Sequence, residues 1–347
     1  MVLVNSQRPL SLEDLSFLAR FGMIPADRDP GLVLGLKKAV FSVKLKNWAS
    51  NSLPAHLSGR LLDRFFMSGI YRLGFKVEQE GYEGPLTLEI TAPRDGFGKQ
   101  LLSSEFMVRR QAPNRLYIDE VGNRWYRIDY SKIKQGEVIR LHFAFKYLVD
   151  MAELLQHDLM LWEKPGEGAV PDEIRPFLNS GHKIDKNLPQ AVEWAREGGP
   201  RPLDNVRSEY LRVKNFIKKT IPYDTQKKAR YFGGKAIYSN LDDMYQDITT
   251  TLFQRLGACP DTSLLECAFL RARGIPCRTA GRFGHFLIHL YVPGKGWLST
   301  LIYPTGIPLI LAPGPDNVPY QKWNPAIQLR TVTLEAKTRI EAMEDLK

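Results

Sequence analysis

Between residues 252 and 306 this 347-residue chain sets a cysteine before a helical run and a histidine on a strand pattern, an order that suits covalent chemistry. Cys259 is followed by Pro260 and Asp261. Proline fits the first helical position, where its missing N–H costs nothing. Asp261 then falls in the first turn, where negative charge suits the helix dipole. This places Cys259 at or near the N-cap of a helix. Leu264, Leu265, Ala268, Phe269 and Ala272 recur at helical spacing and predict a helix that buries one face and stops at Gly274. A thiol at a helix start meets the positive end of the dipole and free backbone N–H groups. Both are expected to lower its pKa, and the same N–H groups suit an oxyanion. Arg278 to Phe283 and His285 to Val292 read as two strands that turn at Gly284. On the second, His285, Leu287 and His289 face one way and Phe286, Ile288 and Leu290 the other. A cysteine on a helix start facing a histidine on a strand is the layout of a base-activated thiol nucleophile.

The order Gly-x-Cys259-x-Asp, helix, Arg271-Ala-x-Gly-Ile-Pro-x-Arg, strand, His285, Gly294-x-Gly-Trp and Pro304-Thr-Gly resembles the transglutaminase-like superfamily. The resemblance implies an α+β fold: a papain-like core, with the cysteine helix packed on an antiparallel sheet, preceded by an all-β sandwich-like domain. It implies Cys259 as nucleophile and His285 as general base. The family expects an Asp before Pro-Thr as the third member, and here Tyr303 stands there, with Leu301 at the ungapped position. Tyr303 is taken as the third catalytic residue, because a phenolic oxygen can accept from an imidazole N–H. A backbone carbonyl, a side chain from residues 313–325, or no third group at all are the alternatives. The family's aromatic residue two after the histidine is Leu287 here. The implied activity is acyl transfer, or amide or thioester hydrolysis, through a Cys259 thioester. A catalytically impaired scaffold or binding protein on the same fold is the alternative. The implied partner is a peptide, a protein or a carrier-bound acyl substrate.

The elements that must position these residues follow from the patterning. Ser11 opens an amphipathic helix over Leu12 to Phe21, in an extension of residues 1–36. Residues 37–150 alternate with a period of two in several short runs, punctuated by Gly and Pro, which predicts a β-sandwich. Val121-Gly122-Asn123 reads as a hairpin turn. Residues 151–202 form a helical connector, broken at Pro165-Gly166 and Pro171. The core is expected over 203–312. Its first helix carries Val206, Tyr210, Val213 and Ile217 and ends at Ile221-Pro-Tyr-Asp224. Residues 225–240 read as a basic surface loop, and Leu241 to Arg255 as a helix leading into Cys259. Residues 313–347 read as loop, a strand over Ile327 to Leu334, and a charged tail.

Composition sets the outer limits. Net charge is +10, which favours acidic partners. A cluster at Lys214, Lys218, Lys219, Lys227, Lys228 and Arg230 reads as a solvated basic face, with no nucleic-acid motif beside it. Three cysteines without a Cys-x-x-Cys pair make neither a disulfide framework nor a structural zinc site. Cys267 and Cys277 read as core residues. No cofactor or metal is expected. The N-terminus has no signal-peptide pattern and no run is long and apolar enough to span a membrane, so a cytoplasmic protein is expected.

Overall fold

The computed structural model describes residues 64–108, 114–161, 168–197, 206–232, 237–238, 245–301, 304–316, 321–324 and 327–342. These all lie in one compact unit, Arg64–Lys347. The expected helix over Leu12 to Phe21 and residues 37–63 of the expected β-rich stretch lie outside the described residues, as does Tyr303.

The β-rich half is built on two long strands, β1 (Arg64–Val77) and β6 (Val138–Asp150), paired antiparallel. Their inward residues alternate as the sequence requires: Phe65, Met67, Tyr71, Leu73, Phe75 and Val77 face Leu141, Phe143, Tyr147 and Val149, and all are buried. Tyr71 stacks on Phe143 directly across the ladder, ring centroids 4.3 Å apart. β3 (Lys99–Val108) flanks β6, and β13 (Leu329–Ala342) flanks β1, with β7 (Ile237–Tyr238) at the far edge. A second sheet runs in the order β12 (Gln321–Trp323), β2 (Glu83–Ala92), β5 (Arg124–Lys134), β4 (Asn114–Ile118). Rings bind the two sheets face to face: Phe106 of β3 stacks on Tyr126 of β5 at 4.3 Å, and Phe75 meets Trp323 at 6.4 Å. The Tyr71 hydroxyl also donates across to the Thr91 carbonyl at 2.5 Å.

The charged C-terminal segment corrects one expectation. The strand does not stop at Leu334 but continues to Ala342 along the whole of β1. The long free edge of β1 supplies the reason. Charges on the outward positions are no obstacle there, and Glu335 pairs with Arg72 at 2.6 Å while Ile340 turns inward. Gly69 allows this approach, since a Cβ at that position would collide with the Lys337 carbonyl oxygen.

The other half is a four-stranded antiparallel sheet, in the order β10 (Gly296–Ser299), β9 (His285–Val292), β8 (Cys277–Arg282), β11 (Pro308–Leu311). Helices in chain order are α1 (Met151–Met160), α2 (Pro189–Glu197), α3 (Val206–Thr220), α4 (Thr225–Phe232), α5 (Ile248–Gln254) and α6 (Cys259–Ala272), with a 3-10 turn at Arg175–Leu178. Part of the stretch read as a basic loop is therefore helical, in α4. Asp224 caps it by accepting from the Lys227 N–H at 2.7 Å.

Helix α6 is the centre of this half. It packs on β8 and β9 and also on α2, α3, α5 and the 3-10 turn. Leu264, Leu265, Cys267, Ala268, Phe269 and Leu270 are all fully buried, so the helix is enclosed on every side rather than on one face. Phe269 explains the enclosure, because Trp194 of α2 and Phe216 of α3 both close on its ring. The helix ends as a Schellman-type turn, with Gly274 at φ 71° and the Ile275 N–H donating to the Leu270 carbonyl. Arg271 and Arg273 of the Arg-Ala-Arg-Gly-Ile-Pro run are structural anchors. Arg271 donates to the carbonyls of Cys277, Asn179 and Pro315, and Arg273 pairs with the fully buried Glu209 at 2.9 Å.

The turn Asp119 to Asn123 locks the two halves together. The Asp119 carboxylate accepts from the N–H groups of Val121 and Asn123, the Asn123 amide and the Trp125 indole. So held, the Asn123 amide both donates to the Leu311 carbonyl and accepts from the Leu311 N–H, each at 2.7 Å. One side chain thus pairs with β11 as a neighbouring strand would. No helix among the described residues is long and apolar enough to cross a membrane.

Candidate active site

Cys259 opens α6 one residue inside the N-cap, which is Ala258. Pro260 follows it in the first turn, as its lack of an N–H dictates. The start of the helix is organised by Asp261, whose side chain is wholly buried. One carboxylate oxygen accepts from the Ala258 N–H at 2.8 Å, half of a capping box. The other accepts from the Gln246 N–H at 2.8 Å, and the Lys227 ammonium bridges both at 2.7 and 2.8 Å. One side chain therefore ties α4, the segment before α5 and the first turn of α6 to a single point. It also takes Lys227 out of the expected solvated basic face. Lys214, another member of that cluster, donates to the Tyr210 hydroxyl.

A second strut comes from Ile221-Pro222-Tyr223-Asp224. It runs parallel to Gly257, with the Asp224 N–H donating to the Gly257 carbonyl and the Gly257 N–H to the Pro222 carbonyl. This brings the Tyr223 hydroxyl within interacting range of the Cys259 thiol. The Tyr223 hydroxyl is consequently hard to ionise, its pKa pushed up to about 12, first by burial and then by Cys259. The backbone N–H of Phe286 also reaches the sulfur. Phe286 follows His285 directly, so the first turn of α6 and the start of β9 meet at this thiol.

The thiol itself departs from expectation. Its pKa is raised, because burial penalises the thiolate more than the N–H of Phe286 and the hydroxyl of Tyr223 favour it, and the Asp261 charge adds to the rise. The helix start alone would lower it, but a buried carboxylate two residues on offsets that dipole. His285 lies half-buried at the start of β9, directly across from Arg282 of β8. Burial first, and then the positive charges of Arg282, Lys214 and Lys228, push its pKa down to about 4. At neutral pH the imidazole of His285 and the thiol of Cys259 thus both rest uncharged.

The described residues around Trp297 are well packed. Trp297 lies edge-on to Phe177 and Tyr291 and carries the Arg278 guanidinium over its face at 4.2 Å. Thr300 is buried, with its hydroxyl on the Ile288 carbonyl. Leu301, at the ungapped position for the family carboxylate, lines a cavity on the sheet face shared by Leu287 and His289. Cys267 and Cys277 are core thiols, with Cys277 Sγ 3.5 Å from the Cys267 carbonyl oxygen. Among the described residues no group of three or more His, Cys, Asp or Glu is placed to hold a metal.

Comparison with known proteins fits this geometry. Residues 201–300 match the family model of the transglutaminase-like superfamily. The core is transglutaminase-like. A solved structure of a proposed cysteine protease from Cytophaga hutchinsonii shares the fold, with a TM-score of 0.58 at 14% identity over 80% of this chain and 91% of that one. A proposed protease from Parabacteroides distasonis aligns at 11% identity over 70% of this chain and 48% of that one, TM-score 0.27. The periplasmic domain of TgpA from Pseudomonas aeruginosa, bound to ethylmercury, aligns at 14% identity over 70% of this chain and 90% of that one, TM-score 0.26. No curated protein gives a match. The transglutaminase-like core is thus an α+β assembly in which the cysteine helix packs on an antiparallel sheet beside a β-rich scaffold.

Sequence reasoning missed two residues of the site. Tyr223 was legible only as part of a helix ending, since its contact with Cys259 depends on a strand-like pairing to Gly257. Asp261 was read as a dipole partner, and its burial against Lys227 and Gln246 could not be seen. A capping carboxylate at the third helical position was the available signal.

Proposed function

We propose that this chain is a cysteine-dependent acyl-transfer enzyme in which Cys259 is the nucleophile and His285 the general base. The observation that carries the reading is the convergence on one thiol of the helix start, the Tyr223 hydroxyl and the Phe286 N–H, with His285 as the adjoining residue. Because both groups rest neutral, the thiol is not a preformed thiolate. His285 takes the Cys259 proton as the sulfur attacks an amide or thioester carbonyl, and the carbonyl oxygen gains the negative charge. The Tyr223 O–H and the backbone N–H groups of the first turn are the donors available to that oxyanion. Collapse of the intermediate expels the amine or thiol, which takes the proton from His285, and leaves a Cys259 thioester. Water or an amine then attacks the thioester and regenerates the thiol. Tyr303 remains the proposed third member, acting on the far nitrogen of His285. The likeness to a proposed cysteine protease favours a peptide or protein amide as the acyl donor, and the net charge of +10 favours an acidic one.

The test is a panel of peptide thioesters and glutamine-containing peptides, read by intact mass. An acyl adduct mapped to Cys259, absent in Cys259→Ala and strongly slowed in His285→Ala, is expected. A general base contributes about 10²–10⁴-fold to such a step. A second reading, a scaffold on the same fold, is favoured by Leu301 at the family carboxylate position. It takes over if no donor acylates Cys259 and alkylation of Cys259 proceeds at the same rate in His285→Ala.

A further inference from the structure

The sheet face that carries Leu287 and His289 looks into a cavity of about 380 Å³, and neither Cys259 nor any residue of α6 lines it. The cavity lies between β8, β9 and β10 on one side and the β2–β3 connection with α1 on the other. A volume of this size suits a small organic molecule.

Its charge is one-sided. Arg94, Lys99, Arg278 and Arg282 line it against Asp95 and Glu153. Asp95 is engaged with the Leu101 N–H at 2.6 Å. Glu153 reaches His157 at 4.0 Å, with its own side chain over half exposed. Arg94 is held by the Asn123 amide and the Val121 carbonyl, and Lys99 by the Gly306 carbonyl at 2.5 Å. Arg278 differs from these. It is 8% exposed, and its Nε has no hydrogen-bond partner among the described residues. Its neighbours are the Trp297 ring beneath it and the positive charge of Arg94, which adds to burial in lowering its pKa to about 10. His289 stands directly across the ladder from Arg278. It is 7% exposed, and its Nδ1 is likewise without a partner among the described residues. Ser299 is the next residue in the same cross-strand row.

A buried guanidinium and a buried imidazole side by side, each with an unused nitrogen, cost stability unless something pairs with them. The same row sets both side chains in the wall of a cavity that Phe97, Leu154 and Leu287 also line. We infer that this cavity binds a small organic anion, its carboxylate or phosphate oxygens on the Arg278 guanidinium and the His289 imidazole and its apolar body against Phe97, Leu154 and Leu287. The bound oxygens supply the counter-charge that Arg278 lacks. Neither Cys259 nor His285 lines the cavity, and the inference holds whether or not Cys259 is catalytic. Burial, then Arg278, Arg94 and His157 of α1, disfavour the imidazolium of His289, and a bound anion would draw a proton onto it, so binding strengthens as pH falls.

The test is calorimetric titration of the full chain at constant ionic strength with benzoate, phenyl phosphate, inorganic phosphate and benzyl alcohol. One-to-one saturable binding of benzoate or phenyl phosphate is expected, tighter than inorganic phosphate and far tighter than the neutral alcohol. The stronger of the first two identifies the head group. Arg278→Met should weaken binding roughly ten- to hundredfold, the effect of losing a charged hydrogen bond. The same variant should melt at or above the wild-type temperature when no anion is present, because an unpaired buried charge has been removed. If Arg278→Met fails to fold, Ala280→Leu decides, since it fills the cavity without touching the charges and should abolish benzoate binding. Absence of saturable binding by every probe overturns the inference. So does binding that both variants leave unchanged, or a melting temperature of Arg278→Met that falls with anion binding intact.

Discussion

Asp261 offers the sharpest test of how the thiol is positioned. Asp261→Ala removes the acceptor for the Ala258 N–H, the Gln246 N–H and the Lys227 ammonium. Leaving a buried donor unpaired costs about 1–3 kcal/mol. Lys227 keeps partial exposure and can turn to water, so its share is smaller. The expected loss is about 3–5 kcal/mol, the range for breaking a buried ion pair from one side. Against a typical total of about 5–15 kcal/mol this is large but survivable. Asp261→Asn should cost nearly as much despite its matching shape. Each carboxylate oxygen faces one backbone N–H and the ammonium, so either orientation of the amide sets its NH₂ against other donors. Lys227→Met should cost less, because the carboxylate keeps both backbone N–H groups. Urea unfolding followed by tryptophan fluorescence and circular dichroism measures this as a lower midpoint at unchanged slope. A loss under about 1 kcal/mol for Asp261→Ala, or an Asn variant as stable as wild type, would refute the idea that this carboxylate holds the helix start together.

Three further outcomes follow from the same geometry. Tyr223→Phe removes a hydroxyl that favours the thiolate, so iodoacetamide labelling of Cys259 at pH 8 should slow, with a stability change within about 1.5 kcal/mol; faster labelling would mean the hydroxyl only shields the sulfur. His285, neutral down to about pH 4 when folded and ordinarily titrating near 6.5, binds fewer protons in the folded than in the unfolded state between those values. Stability is therefore lost as pH falls from 6.5 towards 4, and Cys259-dependent turnover should hold until pH approaches 4; His285→Gln should flatten the stability slope, and an acid limb near 6.5 would contradict the burial argument. Asn123→Ala breaks the paired hydrogen bonds to Leu311 and should lower stability by about 2–4 kcal/mol in thermal denaturation, while the near-isosteric Asn123→Asp, which cannot donate to the Leu311 carbonyl, should do no better.

Local chemistry was legible wherever one residue's neighbours in sequence are also its neighbours in space. The alternation in Val138 to Tyr147 and Leu86 to Ala92 marks strands because each inward side chain meets the opposing sheet. The Cys259-Pro260-Asp261 run marks a helix start because proline and a first-turn carboxylate both suit it. Contacts between distant segments were not legible. Lys227 reads as one more basic residue until Asp261, far along the chain, lies beside it. Residues after Leu334 read as a polar tail because their inward partner, the edge of β1, lies at the other end of the described chain. Helix α6 reads as one-sided because Trp194 and Phe216, which cover its other flank, belong to other helices.

The thiol shows the same division at the level of function. Its position at a helix start is a local property, and taken alone it predicts an acidic, reactive group. Its ionisation depends on what the fold buries around it: the Asp261 carboxylate that anchors the helix also opposes the thiolate, and the cations near His285 oppose the imidazolium. The carboxylate that holds the first turn of α6 in place thus also keeps the sulfur uncharged, and the cations near His285 keep the imidazole neutral. A site built in this way gains from a substrate that changes its electrostatics. An acidic acyl donor set against Arg282, Lys214 and Lys228 would offset the charges that depress His285 and make it a stronger base at the moment of attack. With the proposed acidic donor bound, the excess positive charge of the chain would bear on the chemistry as well as on attraction, the donor supplying part of the negative charge that the family position at Leu301 does not.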